Sequence, residues 1–469
     1  MADTKFSRAL TAGDRKTWTT SVWVKRGLIG EACVWSGYTT AGSEWLLSRF
    51  MSNGEFAVRE YTGSTQFELK SYADYKDVNG WYHVVNTCDT TESVAADRFK
   101  IFINGVQLSS FETESYPSLD YNTRMNVSGC TMAIGCDDVD TNDFEGYMAQ
   151  FTYSDGTAYD ATTFGSFDDT TGEWKPKSDG EIRTAVTFGT NGFLLPFSNA
   201  SYPGYDYQTA DRSGTTNDYT KSGSGYQAQD NPSNNFVTLN NNYSATGQYS
   251  TPGHTTTYAN LAGYPGAGNN GFPANMGASK GKWYWESRPV NSSTMTGIMS
   301  GSASALGVWD GSYASGFTSY GGNKAIMYGT ESGGGYLMGV TTSTAAFGTI
   351  LNNSTDVVGC AMDLDNNNLY LSVNGTWQNS GVPTSGATGT GAVAITVQSG
   401  FPALGKEVWF PAMHTFSTSR TVEFNFGQGY FGTTSVGATN ADDAGFGVFK
   451  YDVPAGYYAL CTKNLKTYG

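Results

Sequence analysis

The chain has 469 residues, 59 of them glycine, with 14% aromatic and 15% charged residues and a formal charge of −15. That length suits two or three domains rather than one, and so many aromatics exclude a disordered chain, which lacks such packing groups. With 27 basic against 42 acidic residues, nucleic acid and anionic membrane surfaces are excluded as partners, because phosphate-rich surfaces call for clustered Lys and Arg.

Taken in chain order, short alternating runs dominate: TWTTSVWVKR (17–26), EWLLSRF (44–50), EFAVREY (55–61), QFELKSY (66–72), WYHVVNTCD (81–89), FKIFING (99–105), TMAIGC (131–136) and YMAQFTYSD (147–155). Strands spaced by about ten residues, with turn signals between them, predict a sandwich or barrel. From about residue 179 to 275 the texture changes to Ser, Thr, Gly, Asn and Asp, which predicts an extended, partly ordered connector pinned by Phe188, Phe193, Leu194, Leu195, Phe197, Phe236 and Leu239. Alternation resumes at GKWYWESR (281–288) and runs through SALGVWD (304–310), KAIMYG (324–329), VVGCAMDLD (357–365), NLYLSVNG (368–375), EVWFPAMH (407–414) and RTVEFNFG (420–427). The tail VFKYDVPAGYYALCTKNLK (448–466) is expected to dock. The expected architecture is all-β: two antiparallel jelly-roll sandwiches, residues 1–178 and 276–469, joined by the connector 179–275.

WYHVVNTCD…FKIFING and VVGCAMDLD…NLYLSVNG share one pattern, a hairpin ending in Asn-Gly. Asn-Gly supplies the positive φ of a two-residue turn, so the echo predicts fold and carries no function by itself. The 6 cysteines form no CxxC pair and read as buried free thiols. MADTKFSRALTAG lacks an apolar leader core, and no run approaches ~18 apolar residues. The expectation is a soluble product of a reducing compartment, made without a Sec-type leader and not inserted in a membrane.

Several stretches carry a resemblance. Trp81 to His83, Phe102 to Gly105 and Gly146 to Tyr153 resemble the laminin G-like, or concanavalin A-like, sandwich. Gly281 to Glu286, Leu306 to Val308, Val358 to Asp365, Ser372 to Gly375, Trp409 to Ala412 and Phe424 to Gln428 resemble a SPRY domain. Gly189-Thr190-Asn191-Gly192-Phe193, the stretch Asn231 to Asn240, and Pro454 to Leu465 resemble passages of tailed-phage virion proteins that join such a pair of domains. The acidic, Ser-rich segment after Phe197 departs from that pattern. The resemblance, from about residue 4 to 466, implies a non-enzymatic structural protein of a phage particle, in capsid decoration or in a tail or fibre. Its implied partners are other virion proteins.

Catalytic and nucleotide motifs are weak. Gly400 to Lys406 fits the start of a P-loop, but Glu407 replaces the Mg²⁺-binding Ser or Thr and a strand follows. Gly277-Ala278-Ser279-Lys280-Gly281 matches GxSxG without the strand-to-helix elbow. Asp363 and Asp138 open EF-hand-like runs that lack the required Gly and the closing Glu. No cofactor is expected. Loop carboxylates Asp89, Asp137, Asp138 and Asp140 are the candidate ligands of a looser Ca²⁺ site, against the plainer reading as solvated turns. Trp309, Asp310, Tyr313 and Tyr320, in a turn-rich stretch, are the candidate ligand contacts, for a host surface glycan or for a protein. The alternative readings are a lectin-like receptor-binding adhesin at the tail tip and a polysaccharide depolymerase. The latter lacks the E-x-D-x-x-E run by which a sandwich presents paired carboxylates.

Overall fold

Alternation of apolar and polar residues builds strands whose two faces differ. Where both faces are covered, the alternation disappears, and Thr17–Arg26 is such a strand. Its Trp18, Val22 and Val24 enter one apolar core, while Trp23 on the other face enters a second. A computed structural model of the protein describes residues 4–214, 216–241, 254–265, 270–292, 294–301, 325–331, 334–338, 344–345, 347–352, 354–395, 407–415 and 420–469. They form two units, Met1–Gln227 with Asn231–Ser233, and Ala228–Asp230 with Asn234–Gly469. Each is built from mainly antiparallel sheets, with one parallel pair between Lys282–Pro289 and Tyr458–Ala459 in the second, and among the described residues no helix is long and apolar enough to cross a membrane.

The strands of the first unit are β1 (Lys5–Ala9), β2 (Thr17–Arg26), β3 (Ala32–Thr40), β4 (Glu44–Phe50), β5 (Glu55–Thr62), β6 (Thr65–Asp74), β7 (Tyr82–Asp89), β8 (Phe99–Ile103), β9 (Val106–Gln107), β10 (Phe111–Ser115), β11 (Thr131–Ile134), β12 (Gly146–Asp155), β13 (Gly165–Phe167), β14 (Trp174–Pro176), β15 (Phe193–Leu195) and β16 (Thr220–Ser222). One sheet runs β10-β6-β5-β4-β3-β11-β1-β16 and the other β15-β12-β2-β7-β8-β9. Between them lies a core holding Trp18 edge-on to Trp35, with ring centroids 5.9 Å apart. The outer face of the six-stranded sheet is covered by the β13–β14 hairpin and the helix α1 (Asp179–Ala185), through Trp174 and Ile182. Two stretches of the 179–275 segment are thus strands of this unit: β15 pairs with β12 and β16 with β1.

In the second unit, a nine-stranded sheet centres on Lys282–Pro289 between Val422–Asn425 and Val358–Asp363, and Val358–Asp363 pairs in turn with Asn368–Val373. A six-stranded sheet centres on Trp409–Thr415 and Thr294–Ser300. Trp283, Trp285, Trp409, Phe424 and Phe426 lie in one buried cluster. All six cysteines of the chain are buried and unbridged.

The repeated hairpin has a local cause, and it is the same in both units. Asn104 and Gly105 have φ of 50° and 80°, and Asn374 and Gly375 have φ of 50° and 79°. In the first, the Asn104 side chain accepts from the His83 amide at 2.7 Å, and the Asn104 amide donates to the His83 carbonyl at 2.9 Å. In the second, Asn374 makes the same exchange with Val357, at 3.0 and 2.9 Å. A large ring then seats on the turn glycine, Trp174 on Gly105 and Tyr451 on Gly375. Any side chain at these glycines would displace that ring.

The stretches singled out beside the sandwiches act as stitches. Asn191 of GTNGF is fully buried and accepts from the Thr11 amide (2.9 Å) and hydroxyl (3.1 Å). Its amide donates to the Thr11 carbonyl, to Asn126 and to the Asp155 carboxylate, while its backbone N–H also reaches Asp155 at 3.0 Å. In the second unit, Phe236 bridges to Cys461, the Thr462 amide donates to the Asn235 carbonyl, and Asn234 accepts from the Lys463 amide at 3.1 Å. The C-terminal helix α2 (Thr462–Tyr468) starts on that clamp.

Candidate functional site

The loop from 135 to 145 carries most of the carboxylates expected to hold a cation, and their oxygens are engaged by the protein itself. Asp137 accepts from the Val139 and Thr141 amides at 3.1 and 2.9 Å, and from the Thr141 hydroxyl and the Asn142 amide at 2.9 Å each. Burial pushes this carboxyl up, but those hydrogen bonds outweigh burial and hold it below its ordinary value. Asp138 accepts from the Gly42 amide at 2.6 Å, and burial raises its pKa. Asp140 is ion-paired with Lys5. Asp89 caps its own turn, accepting from Thr91 N at 3.0 Å and Thr91 Oγ1 at 2.6 Å. It pairs with Thr17 at one end of β2, whereas the 135–145 loop leads into Gly146 at the other end. The four residues therefore do not converge.

Among the described residues, the grouping that does converge is Cys136, Asp140 and Asp143, with ligand atoms all within 4.8 Å of one another. It suits calcium poorly. Calcium takes six to eight oxygens, whereas this set offers a sulfur whose thiol is pushed to about 12 by burial and a carboxylate already bound to Lys5. The residues present do not fit a Ca²⁺ site.

Among the described residues of the first unit, Ser21 and His83 form a Ser–His contact. Ser21 Oγ lies 2.8 Å from His83 Nε2, the separation of a nucleophile and its base. The other ring nitrogen decides its chemistry. Trp174 Nε1–H, which can only donate, lies 3.0 Å from His83 Nδ1. Nδ1 must accept, so Nε2 carries the proton and donates to Ser21. A histidine in that tautomer takes no proton from the serine. Burial holds its pKa down at about 3, and Trp23 stacks on the ring at 4.5 Å. The pair locks β2 to β7 and to the Trp174 hairpin.

Exposed aromatics give a different picture. Trp309, Asp310, Tyr313 and Tyr320, the expected ligand contacts, lie outside the described residues. On the eight-stranded sheet, Trp45 stacks on its cross-strand partner Tyr61 at 5.3 Å, with the Arg59 guanidinium 5.5 Å from the Trp45 ring. Those rings cover one another. In the segment between β15 and β16, Tyr202 stacks on Tyr205 with centroids 4.6 Å apart and planes 4° from parallel, and Arg212 lies 3.6 Å over the Tyr205 ring. Asp218 fixes Arg212 through two hydrogen bonds of 2.8 and 2.6 Å. No sequence period links this set, because Tyr202 and Arg212 lie ten positions apart in an irregular loop. Its one visible sign was the tyrosine density of YPGYDY.

Residues 4–161 match the family model described as the concanavalin A-like lectin/glucanases superfamily. The first sandwich is a laminin G/concanavalin A-like domain. No curated protein matches the chain. Among solved structures, the SPRY domain of human HERC1 aligns at 16% identity, over 35% of this chain and 87% of its own, with a TM-score of 0.24. Domains LG4–5 of the mouse laminin α1 chain align at 7% identity over 90% of this chain and 86% of their own, with a TM-score of 0.29. A heptameric pentraxin from Limulus polyphemus aligns at 13% identity over 34% and 72%, with a TM-score of 0.26.

Proposed function

We propose that the chain is a non-catalytic protein of a tailed-phage particle, held against other particle subunits and contacting a host-surface saccharide through its loops. The observation that carries this reading is the set of stretches resembling phage virion proteins, GTNGF, NPSNNF and PAGYYALCTKNL. In this chain they are joints: the first ties Asp155 to the N-terminal segment, and the second and third clamp each other. Rigid frames with exposed loops suit binding. A depolymerase is the less favoured reading, because the sequence lacks the E-x-D-x-x-E run that would present the paired carboxylates of glycoside hydrolysis.

Immunogold electron microscopy of intact particles, with antibody against this chain, tests the reading. Label over the head places it as a decoration protein, and label on the tail or its fibres as an adhesin. Particles that carry no label at all would sink the proposal.

A further inference from the structure

Tyr202 is a solvent-facing ring at the end of a built column. It is 57% exposed although one face is stacked on Tyr205. A ring covered on one face and still that exposed has its second face open to solvent. Tyr205 is sandwiched: Tyr202 at 4.6 Å and the Arg212 guanidinium at 3.6 Å cannot share one side of it, so they occupy opposite faces. Arg212 is fixed by Asp218 and donates from Nε to the Asp206 carbonyl at 3.2 Å. Asp206 is fully buried and accepts from the Leu194, Gln208 and Asn217 amides, at 2.9, 2.9 and 2.8 Å. Asn199 caps the turn that carries the outer ring, accepting from the Tyr202 amide at 3.1 Å.

We propose that the open face of Tyr202 is a saccharide-binding subsite that stacks one pyranose ring. Three features favour this occupant. The open apolar surface is a single ring, far below the roughly 800 Å² per partner of a stable protein interface, but it matches the C–H face of one sugar. The surrounding loop, from Ser198 to Ser213, is rich in Ser, Asn, Asp, Gln and Thr, which suits a ligand whose rim is hydroxyl groups. The column is also held rigid before any ligand arrives, so little side-chain freedom is lost on binding. Tyr72 is more exposed, at 65%, but no ring or guanidinium backs it among the described residues.

This inference rests on the saccharide-contact part of the proposed function and gives it a residue. The test is saturation-transfer NMR on the full chain, with methyl glycosides of glucose, galactose, mannose and N-acetylglucosamine at millimolar concentration. The expected result is transfer to the ring protons of at least one glycoside, kept by Tyr202→Phe and weakened roughly tenfold, about 1.4 kcal/mol, by Tyr202→Ala. No transfer from any glycoside to the wild-type chain would overturn the proposal. Equal transfer with Tyr202→Ala would also overturn it, while leaving saccharide binding elsewhere on the chain intact. Binding lost in Tyr202→Ala from a chain that labels no particle would keep this subsite and remove the phage reading.

Discussion

Glu60 projects into the core of the first sandwich and is fully buried, where an ionised carboxylate is costly. Burial is the main cause that lifts its pKa to about 7, although Tyr121 Oη donates to it at 2.6 Å and the Arg124 amide at 3.0 Å. The folded value lies above the unfolded one of about 4.5. The stability tied to this group is therefore complete below pH 4.5 and is lost as pH rises through 7, by about 3 kcal/mol in all. Glu60→Gln keeps the shape, since its carbonyl can accept from Arg124 and its amide can donate to Tyr121. In thermal unfolding it should melt several degrees above the wild type at pH 8 and close to it at pH 5. A variant less stable at both pH values would show that the charge itself is needed. Position 60 reads as one more polar residue in EFAVREY, and only the strand's register reveals that it faces inward.

At the scale of elements, alternation carried most of the strand positions. TWTTSVWVKR and EWLLSRF coincide with strands Thr17–Arg26 and Glu44–Phe50, because turn residues bound them on both sides. Helix α1 is only seven residues long, too short for a helical period to show, though Ser178 and Glu181 make the reciprocal capping box that their spacing allows. The three-residue strands of β13, β14, β15 and β16 carry no period either, and tertiary packing fixes them. Carboxylate spacing misleads for a related reason. An Asp followed closely by Thr and Asn can ligate a cation or close its own turn, and Asp137 does the second. The Asn191 stitch shows what a short connector motif is worth. Asn191→Ala removes five side-chain hydrogen bonds from a fully buried site and leaves Thr11, Asn126 and Asp155 short of partners. The expected loss is about 2–4 kcal/mol, read as a lower urea midpoint for the first unit at an unchanged slope. A loss below ~0.5 kcal/mol would mean that water replaces the side chain there.

At the scale of the whole molecule, the texture change near residue 178 is a change of composition, and the sheets of the first unit continue beyond it. A chain ending at residue 178 would stop at the N-cap of α1 and remove Ile182 from the apolar layer over the six-stranded sheet. It would strip β15 from β12 and β16 from β1, leaving open edges prone to self-association. It would also take Asn191 from Asp155, and Asn217 from the Arg8 guanidinium, which it meets at 2.5 Å. A fragment of residues 1–227 retains all of these. Expressed separately, 1–227 should unfold in one cooperative transition and stay monomeric, while 1–178 should aggregate or melt many degrees lower. Matching transitions for the two fragments would mean that the sandwich is complete at residue 178 and that the later strands only decorate it. The expected difference follows from edges and buried polar groups, which composition cannot display and strand pairing can.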